Sequence, residues 1–198
     1  MKKDFIQHQA AEELINWSEE LNVLYLAEVV LGCPKFNMWT SSIIPTMHHY
    51  GRHGLVIHTH EVAKLCFEIP KLLGINVNVT ELFLSVVFHD YGKTFDYVPV
   101  GPGYINWGET EHKRLIHHIS RSALTWQDAW GKFAPRRLIL NDPLIGDRVL
   151  HNILSHHGRR EWGSPIMPKT KEAWLLHLCD GISARMNDCD KTDFVNIK

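Results

Sequence analysis

The stretch Ser85–Thr94, which reads SVVFHDYGKT, places a histidine and an aspartate side by side at the end of an apolar run. Such a run belongs in a protein core, where a polar group without a partner is costly and an isolated charge is far more costly. The pair His89–Asp90 therefore predicts a bound group that compensates for its burial. The remaining helices of the chain indicate what that group is.

The residues around this pair predict a helix, because Leu82, Val86 and His89 share one helical face. Asn78, three residues before Glu81, is an Asn-led form of the capping box that begins such a helix. Helical spacing of apolar residues recurs in the segments 3–33, 55–73, 109–130, 142–156 and 170–184. Gly101-Pro102-Gly103 lies between two short alternating segments, which predicts a β-hairpin or an ordered loop. The predicted fold class is all-α, a helical bundle with one short hairpin.

The composition is that of a globular protein. The 198 residues carry a formal net charge of -1, so no global basic field favours nucleic acid. We expect one domain over residues 1–198, in which a helical extension (1–46) packs on a core (47–188).

Cysteine usage and hydropathy predict a cytoplasmic protein. The four cysteines form no C-x-x-C pair, and we expect reduced thiols. The N-terminus lacks the apolar core of a signal peptide, and no apolar run approaches the roughly 18 residues that span a bilayer. We expect no membrane partner. The N-terminal helices could form the face of a homo-oligomer.

Metal-capable residues stand in phase with the apolar stripes of five predicted helices. They are His58, the pair His89–Asp90, His118, His156 and Asp180. One histidine on an apolar face is more often a hydrogen-bonded core residue than a ligand. Six such residues from five helices favour a metal site, since helical bundles build metal sites from inward-facing side chains.

The order H…HD…H…H…D resembles the HD superfamily of metal-dependent phosphohydrolases. Its local strings resemble the HD domain of bacterial YhaM-type 3′-5′ exoribonucleases over roughly residues 47–188. These strings are HHYGRHGLVIHTHEVAKL, LSVVFHDYGK, LIHHIS, ILSHHGRREWGSP and PKTKEAWLLHLCDGISARMND.

The ligand set predicts two divalent ions. Imidazole with carboxylate suits Mn, Fe, Co, Ni or Zn, of which we favour Mn or Fe, and the ligands outnumber what one catalytic ion needs. Asp90 is the expected bridge, in agreement with the family pattern. His58, His89 and Asp180 would complete one site, and His118 with His156 the other. A metal-activated hydroxide would then attack phosphorus.

Further residues are candidates for substrate binding. Lys93 lies one turn beyond His89 and could reach a phosphoryl oxygen as a catalytic residue, or it could be a solvated helix-end lysine. His157 follows His156 off the apolar face, and we expect a substrate contact or a ligand-supporting role. Arg159 and Arg160 could bind phosphate through their guanidinium groups, or form a solvated loop pair.

Aromatic and histidine residues nearby have weaker predictions. Tyr104 and Trp107 in the hairpin could stack on a base, although loop packing is the commoner role. The histidines that flank His58 are mostly expected at the surface or in loops, although one could orient a ligand or meet a substrate. They are His48, His49, His53 and His60.

The leading functional hypothesis is a phosphohydrolase or phosphodiesterase that acts on a nucleotide or short oligonucleotide. About 45 residues precede the resembling segment and are patterned as helices, so we expect no OB-fold module and no processive RNA degradation. One alternative is an HD-type di-iron oxygenase, which shares the ligand order. A further alternative is a DNA-processing or non-catalytic HD module.

Overall fold

The computed structural model describes residues 8–189, and it confirms the predicted all-α class with one small sheet. The helices are α1 Gln9–Glu20, α2 Leu24–Leu31, α3 Pro34–Met38, α4 Gly54–Leu73, α5 Val79–His89, α6 Lys93–Asp96, α7 Glu111–Leu115, α8 His118–Phe133, α9 Arg136–Asn141, α10 Ile145–Ser155 and α11 Lys171–Cys189. Strands β1 (Tyr97–Val100) and β2 (Asn106–Glu109) pair antiparallel, and a 3₁₀ turn at Pro102–Tyr104 connects them. The predicted hairpin is therefore confirmed.

Helix α5 lies at the centre of the bundle. Every residue from Glu81 to His89 is buried, as expected for a helix whose sequence is apolar on nearly all sides. Helices α2, α4, α8, α10 and α11 all pack against it. The C-terminal end of α5 is thus surrounded by other helices, and this is where the His89–Asp90 pair stands.

The predicted cap of α5 is half correct. Asn78 Oδ1 accepts the backbone N–H of Glu81 at 3.1 Å, as an N-cap should. Glu81 does not return a bond to Asn78, because its buried carboxylate instead accepts from Arg148 (2.7 Å) and Asn152 (3.0 Å) on α10. The Asn78 backbone N–H donates to Glu172 at 2.9 Å. Tertiary partners have replaced the reciprocal bond of the capping box.

The helix predicted over 109–130 is interrupted. α7 ends at Leu115 and α8 begins at His118, after His117 adopts a left-handed φ of 68°. Asp96 causes the break, because its Oδ2 accepts the backbone N–H of His118 at 2.9 Å and so supplies the cap from another element. The helix predicted over 142–156 begins later than expected, because α10 starts at Ile145.

The segment between α3 and α4 contains Pro45 and Gly51 and has no helix or strand, apart from an isolated bridge between Ser42 and Tyr50. It is anchored by Trp39, whose indole N–H donates to the Tyr97 carbonyl at 2.8 Å and whose own carbonyl accepts the Leu55 N–H at 2.9 Å. His49 and His53 adopt left-handed φ values of 50° and 66°. These turns carry His48 and His49 back toward α4.

The helical segment predicted from position 170 forms α11, and Thr170 Oγ1 caps its first turn by accepting the Ala173 N–H at 3.0 Å. At the other end of the described chain, α1 packs on α4, and α2 packs on α5 and α8. None of the helices within the described residues is long and apolar enough to cross a bilayer.

Candidate metal centre

Side chains from five places in the sequence converge at the C-terminal end of α5. His58 comes from the middle of α4, His89 from the last turn of α5, and His118 from the first turn of α8. His156 directly follows α10, and Asp180 lies in α11. Asp90 stands among them, and the three helix-borne histidines are buried. The structure therefore brings all six predicted ligands together.

The two oxygens of Asp90 face different neighbours. Oδ2 lies 3.5 Å from His58 Nε2 and 3.4 Å from His89 Nε2. Oδ1 lies 3.5 Å from His118 Nε2 and 3.7 Å from His156 Nε2. The carboxylate thus separates the imidazoles into two pairs, which is the arrangement that a carboxylate shared between two ions requires.

Each pair has one further neighbour. Asp180 Oδ1 lies 3.0 Å from His58 Nε2, on the side of Asp90 Oδ2. His157 Nε2 lies 3.4 Å from His118 Nε2, on the side of Asp90 Oδ1. Donor atoms within 4.8 Å of one another form the group His58, His89, Asp90 and Asp180, and likewise the group His118, His156 and His157. His157, expected from the sequence as a substrate contact or a ligand-supporting residue, faces the centre beside His156.

Hydrogen bonds at Nδ1 orient the imidazoles. Nδ1 of His89 donates to the Val86 carbonyl, and Nδ1 of His156 donates to the Ile153 carbonyl, both at 2.7 Å. A carbonyl can only accept, so in the neutral ring the proton stands on Nδ1 and the lone pair of Nε2 points into the centre. Metal-binding histidines are typically oriented in this way.

His58 is oriented by a longer chain of hydrogen bonds. Its Nδ1 lies 3.0 Å from Ser183 Oγ, and that hydroxyl donates to Glu61 Oε2 at 2.9 Å. Since the serine proton is directed at Glu61, Ser183 Oγ accepts from His58 Nδ1. Glu61 Oε2 also contacts His49 Nε2 at 3.0 Å and Asn187 Nδ2 at 3.1 Å. Side chains of α4 and α11 thus orient the His58 imidazole through a chain of hydrogen bonds.

The donor set fits divalent cations. Among residues 8–189, several buried atoms at this centre lack a well-aligned hydrogen-bond partner, namely Nε2 of His58, His89 and His156 and Oδ1 of Asp90. Leaving a buried acceptor unsatisfied is costly. Here each of these atoms can give a lone pair to a cation, and mixed nitrogen and oxygen donors suit first-row transition metals rather than Ca²⁺ or Mg²⁺.

The electrostatics of the centre attract positive charge. Burial alone would raise the pKa of the Asp90 carboxyl, but Lys93 and the imidazoles around it outweigh burial and hold that pKa well below its ordinary value. Burial alone would lower the pKa of His58, yet Asp180 and Asp90 more than compensate, so it is raised. The carboxylates remain ionised and favour a cation next to His58.

Two imidazoles of the second group, those of His118 and His157, are neutral near pH 7. Burial lowers the pKa of His118 well below its ordinary value, and it outweighs Asp96 and Asp90, which raise that pKa. Burial, with the neighbouring His156, lowers the pKa of His157 to about 4. Neutral imidazole is the form that binds metal, so neither ring needs to lose a proton near neutral pH.

Lys93 is buried beside Asp90 rather than solvated at a helix end. Its Nζ lies 2.6 Å from Asp90 Oδ2 and 3.2 Å from Ser41 Oγ. Asp90 raises its pKa although burial, the largest single effect, lowers it. The ammonium is therefore held at the centre, with the Asp90 carboxylate as its partner.

The candidate substrate residues outside the centre are more dispersed. Arg159 and Arg160 are exposed, and the Arg159 guanidinium lies 5.0 Å from the centroid of Trp162. Trp107 is buried and packs edge-on against Trp39 at 5.3 Å, so loop packing rather than base stacking describes it. Tyr104 packs against both of these indoles.

Two of the histidines that flank His58, expected mostly at the surface or in loops, lie in the loop before α4 but beside the centre. His49 is 8% exposed, and His48 lies with its ring 5.0 Å from that of His58. Burial lowers the pKa of His48 to about 2, with contributions from His58 and Lys93. Four histidines lie within seven residues of His53 along the chain, and this density is the signal that the sequence carries. Their position beside the centre depends on left-handed turns, which the helical periodicity of the sequence does not reveal.

Asp96 was also missed. Its buried carboxylate accepts the His118 backbone N–H, and Oδ1 lies 2.8 Å from His112 Nδ1. His112 in turn accepts from Arg121 Nε at 3.0 Å. The role of Asp96 is to place the first residue of α8. Nothing in the sequence around Asp96 indicates this role.

A cleft of about 630 Å³ opens beside the centre. Its lining includes His48, His157 and Asp180, which belong to the centre or touch it. It also includes Trp162 and two apolar residues of α11, Ile182 and Met186. The cleft thus gives a molecule of nucleotide size access to the candidate metal ligands.

Comparison with known proteins agrees with this geometry. The family profile described as HD domain matches residues 55–185. A curated relative, the 3′-5′ exoribonuclease YhaM of Oceanobacillus iheyensis, is 33% identical over 144 residues. The match covers 71% of this chain and 41% of that relative. No solved structure gives a significant match. Together with the convergence of its histidines and aspartates, the profile match establishes that the chain belongs to the HD domain family.

Proposed function

We propose that this chain hydrolyses phosphate ester bonds in a nucleotide or a short oligonucleotide, at a centre that holds two divalent transition-metal ions. The observation that carries this proposal is the division of the Asp90 contacts, with unpartnered imidazole nitrogens facing each of its oxygens. The name of the curated relative, an exoribonuclease, supports a phosphodiester substrate over the oxygen chemistry that the same ligand order permits.

The proposed ligands follow from the distances. His58, His89 and Asp180, with Asp90 Oδ2, would hold one ion. A second ion would be held by His118, His156 and Asp90 Oδ1, and we add His157 because its Nε2 faces His118. Mn²⁺ and Fe²⁺ are the ions that we favour for this mixture of imidazole and carboxylate donors.

The protein side chains have separate roles in the proposed reaction. When bound, the ions would supply Lewis-acid activation of a water molecule and of the phosphoryl group. The pKa of the Asp90 carboxyl is held well below its ordinary value, so this residue is negatively charged near neutral pH and would be shared by both ions. Lys93 is charged and buried next to Asp90, and its ammonium is suited to stabilise negative charge that develops on phosphoryl oxygens.

The test combines metal analysis with a substrate panel. Protein purified without added metal is analysed for Mn, Fe, Co, Ni and Zn, and then assayed with Mn²⁺ on mononucleotides, cyclic nucleotides and short RNA. We expect a metal ratio near two per chain after Mn²⁺ loading, and metal-dependent hydrolysis of at least one substrate class. Asp128→Asn, at an exposed residue of α8 paired with Lys132, is the matched control for changes at Asp90.

One result of this test would refute the proposed function, and another would favour the alternative. If the metal-loaded protein hydrolyses no member of the panel, the proposed function is wrong. Iron that gives a mixed-valence EPR signal together with oxygen consumption would favour the oxygenase alternative.

A further inference from the structure

Trp162 is an exposed indole at the edge of the cleft. It ends the 3₁₀ turn Arg160–Trp162 between α10 and α11, and 56% of its surface is exposed. An exposed tryptophan is uncommon, because burying so large an apolar surface is favourable. The cleft that Trp162 lines also contains His157 and Asp180, so the indole faces the same space as the candidate metal ligands.

Several contacts hold this indole in place. The Arg159 guanidinium lies 5.0 Å from the Trp162 ring centroid, a cation–π distance. The His177 ring lies 6.1 Å away at an angle of 35°. His177 itself is fixed, since its Nδ1 donates to the His156 carbonyl at 2.8 Å. The Trp162 ring is thus held by Arg159 and His177, and His177 also contacts the backbone of His156 at the centre.

The turn that carries Trp162 is rigid. The Trp162 and Ser164 N–H groups both donate to the Arg159 carbonyl at 3.1 Å, and Ser164 Oγ donates to the Leu154 carbonyl at 3.0 Å. The Trp162 carbonyl accepts from His157 Nδ1 at 2.8 Å. A single residue therefore orients a metal-facing imidazole through its backbone and exposes a flat ring through its side chain.

The chemistry of the cleft indicates what this ring contacts. Trp162, Ile182 and Met186 give the cleft an exposed apolar part, whereas His48, His157 and Asp180 bring imidazoles and a carboxylate of the centre into the same cleft. A ligand that matches both parts has an anionic phosphate next to a flat apolar ring. Nucleobases fit this description, and a stacking indole accepts any base because every base has a π-face.

We propose that Trp162 is the platform on which a base of the substrate stacks, next to the phosphate that is hydrolysed. This inference rests on the proposed function and deepens it, since it makes the substrate a base-bearing nucleotide rather than any phosphate ester. Recognition is by stacking, so the identity of the base matters little.

The test compares one diribonucleotide with two analogues, in each of which one base is replaced by hydrogen. With Mn²⁺-loaded wild-type protein, we expect removal of one of the two bases to lower kcat/KM by about 10-fold to 100-fold, mainly through KM. In Trp162→Ala the ratio between the intact and the abasic substrate falls to near one. Trp162→Phe keeps a flat ring and retains most of the ratio.

Trp174→Ala is the matched control. Trp174 is an exposed tryptophan of α11 whose ring lies 5.9 Å from that of His177, but it does not line the cleft. We expect this variant to keep the wild-type ratio. We also expect intact substrates with any of the four bases at the sensitive position to differ by no more than a few fold.

The possible outcomes separate the two proposals. If the wild-type protein hydrolyses the intact and abasic substrates equally well, or if Trp162→Ala keeps the wild-type ratio, the base platform is refuted and the phosphoesterase stands. If Trp162→Ala loses bound metal and slows all substrates equally, the residue only supports His157 and the platform is again refuted. If the wild-type protein hydrolyses none of the substrates, the proposed function fails, and the platform fails with it.

Discussion

Asp90 is surrounded by more charged and titratable groups than any other side chain at the centre. Lys93 pairs with one of its oxygens at 2.6 Å, and imidazoles approach both oxygens at 3.4–3.7 Å. It is 2% exposed, so little solvent screens these contacts. Removal of the Asp90 charge should therefore weaken metal binding and also leave Lys93 without its partner.

We expect Asp90→Asn to reduce the bound metal from about two ions per chain to fewer than one. Hydrolysis should fall by more than about 100-fold, beyond the effect typical of a residue that only orients a ligand. In the metal-free state the buried Lys93 loses its partner, which should lower the free energy of unfolding by about 3–5 kcal/mol. Elemental analysis and urea unfolding measure the two effects, and Asp128→Asn should change neither. Full metal occupancy in Asp90→Asn would contradict the bridging role.

His48 should make the stability of the metal-free protein sensitive to acid. Burial lowers its pKa to about 2 in the folded state, whereas an unfolded histidine has a pKa near 6.5. The unfolded chain therefore binds the proton first, and the free energy of unfolding falls as the pH drops below about 6.5. The slope contributed by one such group is about 1.4 kcal/mol per pH unit.

The variant His48→Gln removes this titration. Between pH 6 and pH 5, we expect the free energy of unfolding of the wild type to fall by up to about 1.4 kcal/mol more than that of the variant. Urea unfolding of chelator-treated protein at pH 7.5, 6.0 and 5.0 measures it. Parallel curves for the two proteins would show that His48 does not titrate as its burial implies.

Helix α8 begins where it does because two other elements meet its first residue. Asp96, at the end of α6, caps it, and Gly92, just before α6, lies against its backbone. The Gly92 N–H also donates to Ser122 Oγ at 2.9 Å. The position of His118 at the centre thus depends on the close approach of α6 and α8.

A side chain at position 92 should disrupt this approach. A Cβ atom there would overlap the carbonyl oxygen of His118. Since backbone is in the way rather than a flexible side chain, we expect Gly92→Ala to lower the free energy of unfolding by about 1–3 kcal/mol and to weaken metal binding at the His118 position. Thermal unfolding and metal titration report the two effects.

Gly131→Ala is the control for this prediction. Gly131 lies inside α8, is exposed, and has open space where its Cβ would stand. Alanine favours helix over glycine there, so we expect a gain of about 0.5–1 kcal/mol with no change in metal binding. If the two substitutions change the free energy of unfolding and metal binding equally, the close approach of α6 and α8 does not position His118.

The molecule as a whole is organised around one buried polar centre. Helices α4, α5, α8 and α11 each contribute a donor, and His156 stands at the end of α10. An ion held by donors from different helices should link those helices in the folded state and be released on unfolding. Metal binding therefore stabilises the fold by mass action.

We expect chelation to lower the melting temperature. With free metal at about 100 times its dissociation constant, binding at one site contributes about 2.7 kcal/mol, which for a chain of this size is roughly 5–10 °C. Differential scanning fluorimetry with EDTA, followed by Mn²⁺ or Fe²⁺ in excess of the chelator, measures the shift and its recovery. Asp90→Asn should show a much smaller shift. A melting temperature that is indifferent to metal would contradict a centre shared between helices.

Much of this architecture follows from local patterns in the chain. Apolar residues at helical spacing predict α4, α5, α10 and α11, because the period of a helix is a property of neighbouring residues. The same spacing marks His58, His89 and Asp180 as inward-facing, since a polar residue in phase with an apolar stripe must lie near the core. The glycines and proline around position 102 likewise predict the hairpin.

Contacts between distant residues depend on the fold. The division of the Asp90 oxygens, the cap that Asp96 gives to α8 and the return of His48 to the centre each join residues far apart in the chain, and some require left-handed turns at His49, His53 and His117. Local periodicity contains no information about such distances. The residue types for a metal centre could therefore be read from the chain, but only packing of the helices decided which donors face which oxygen and that Trp162 borders the cleft.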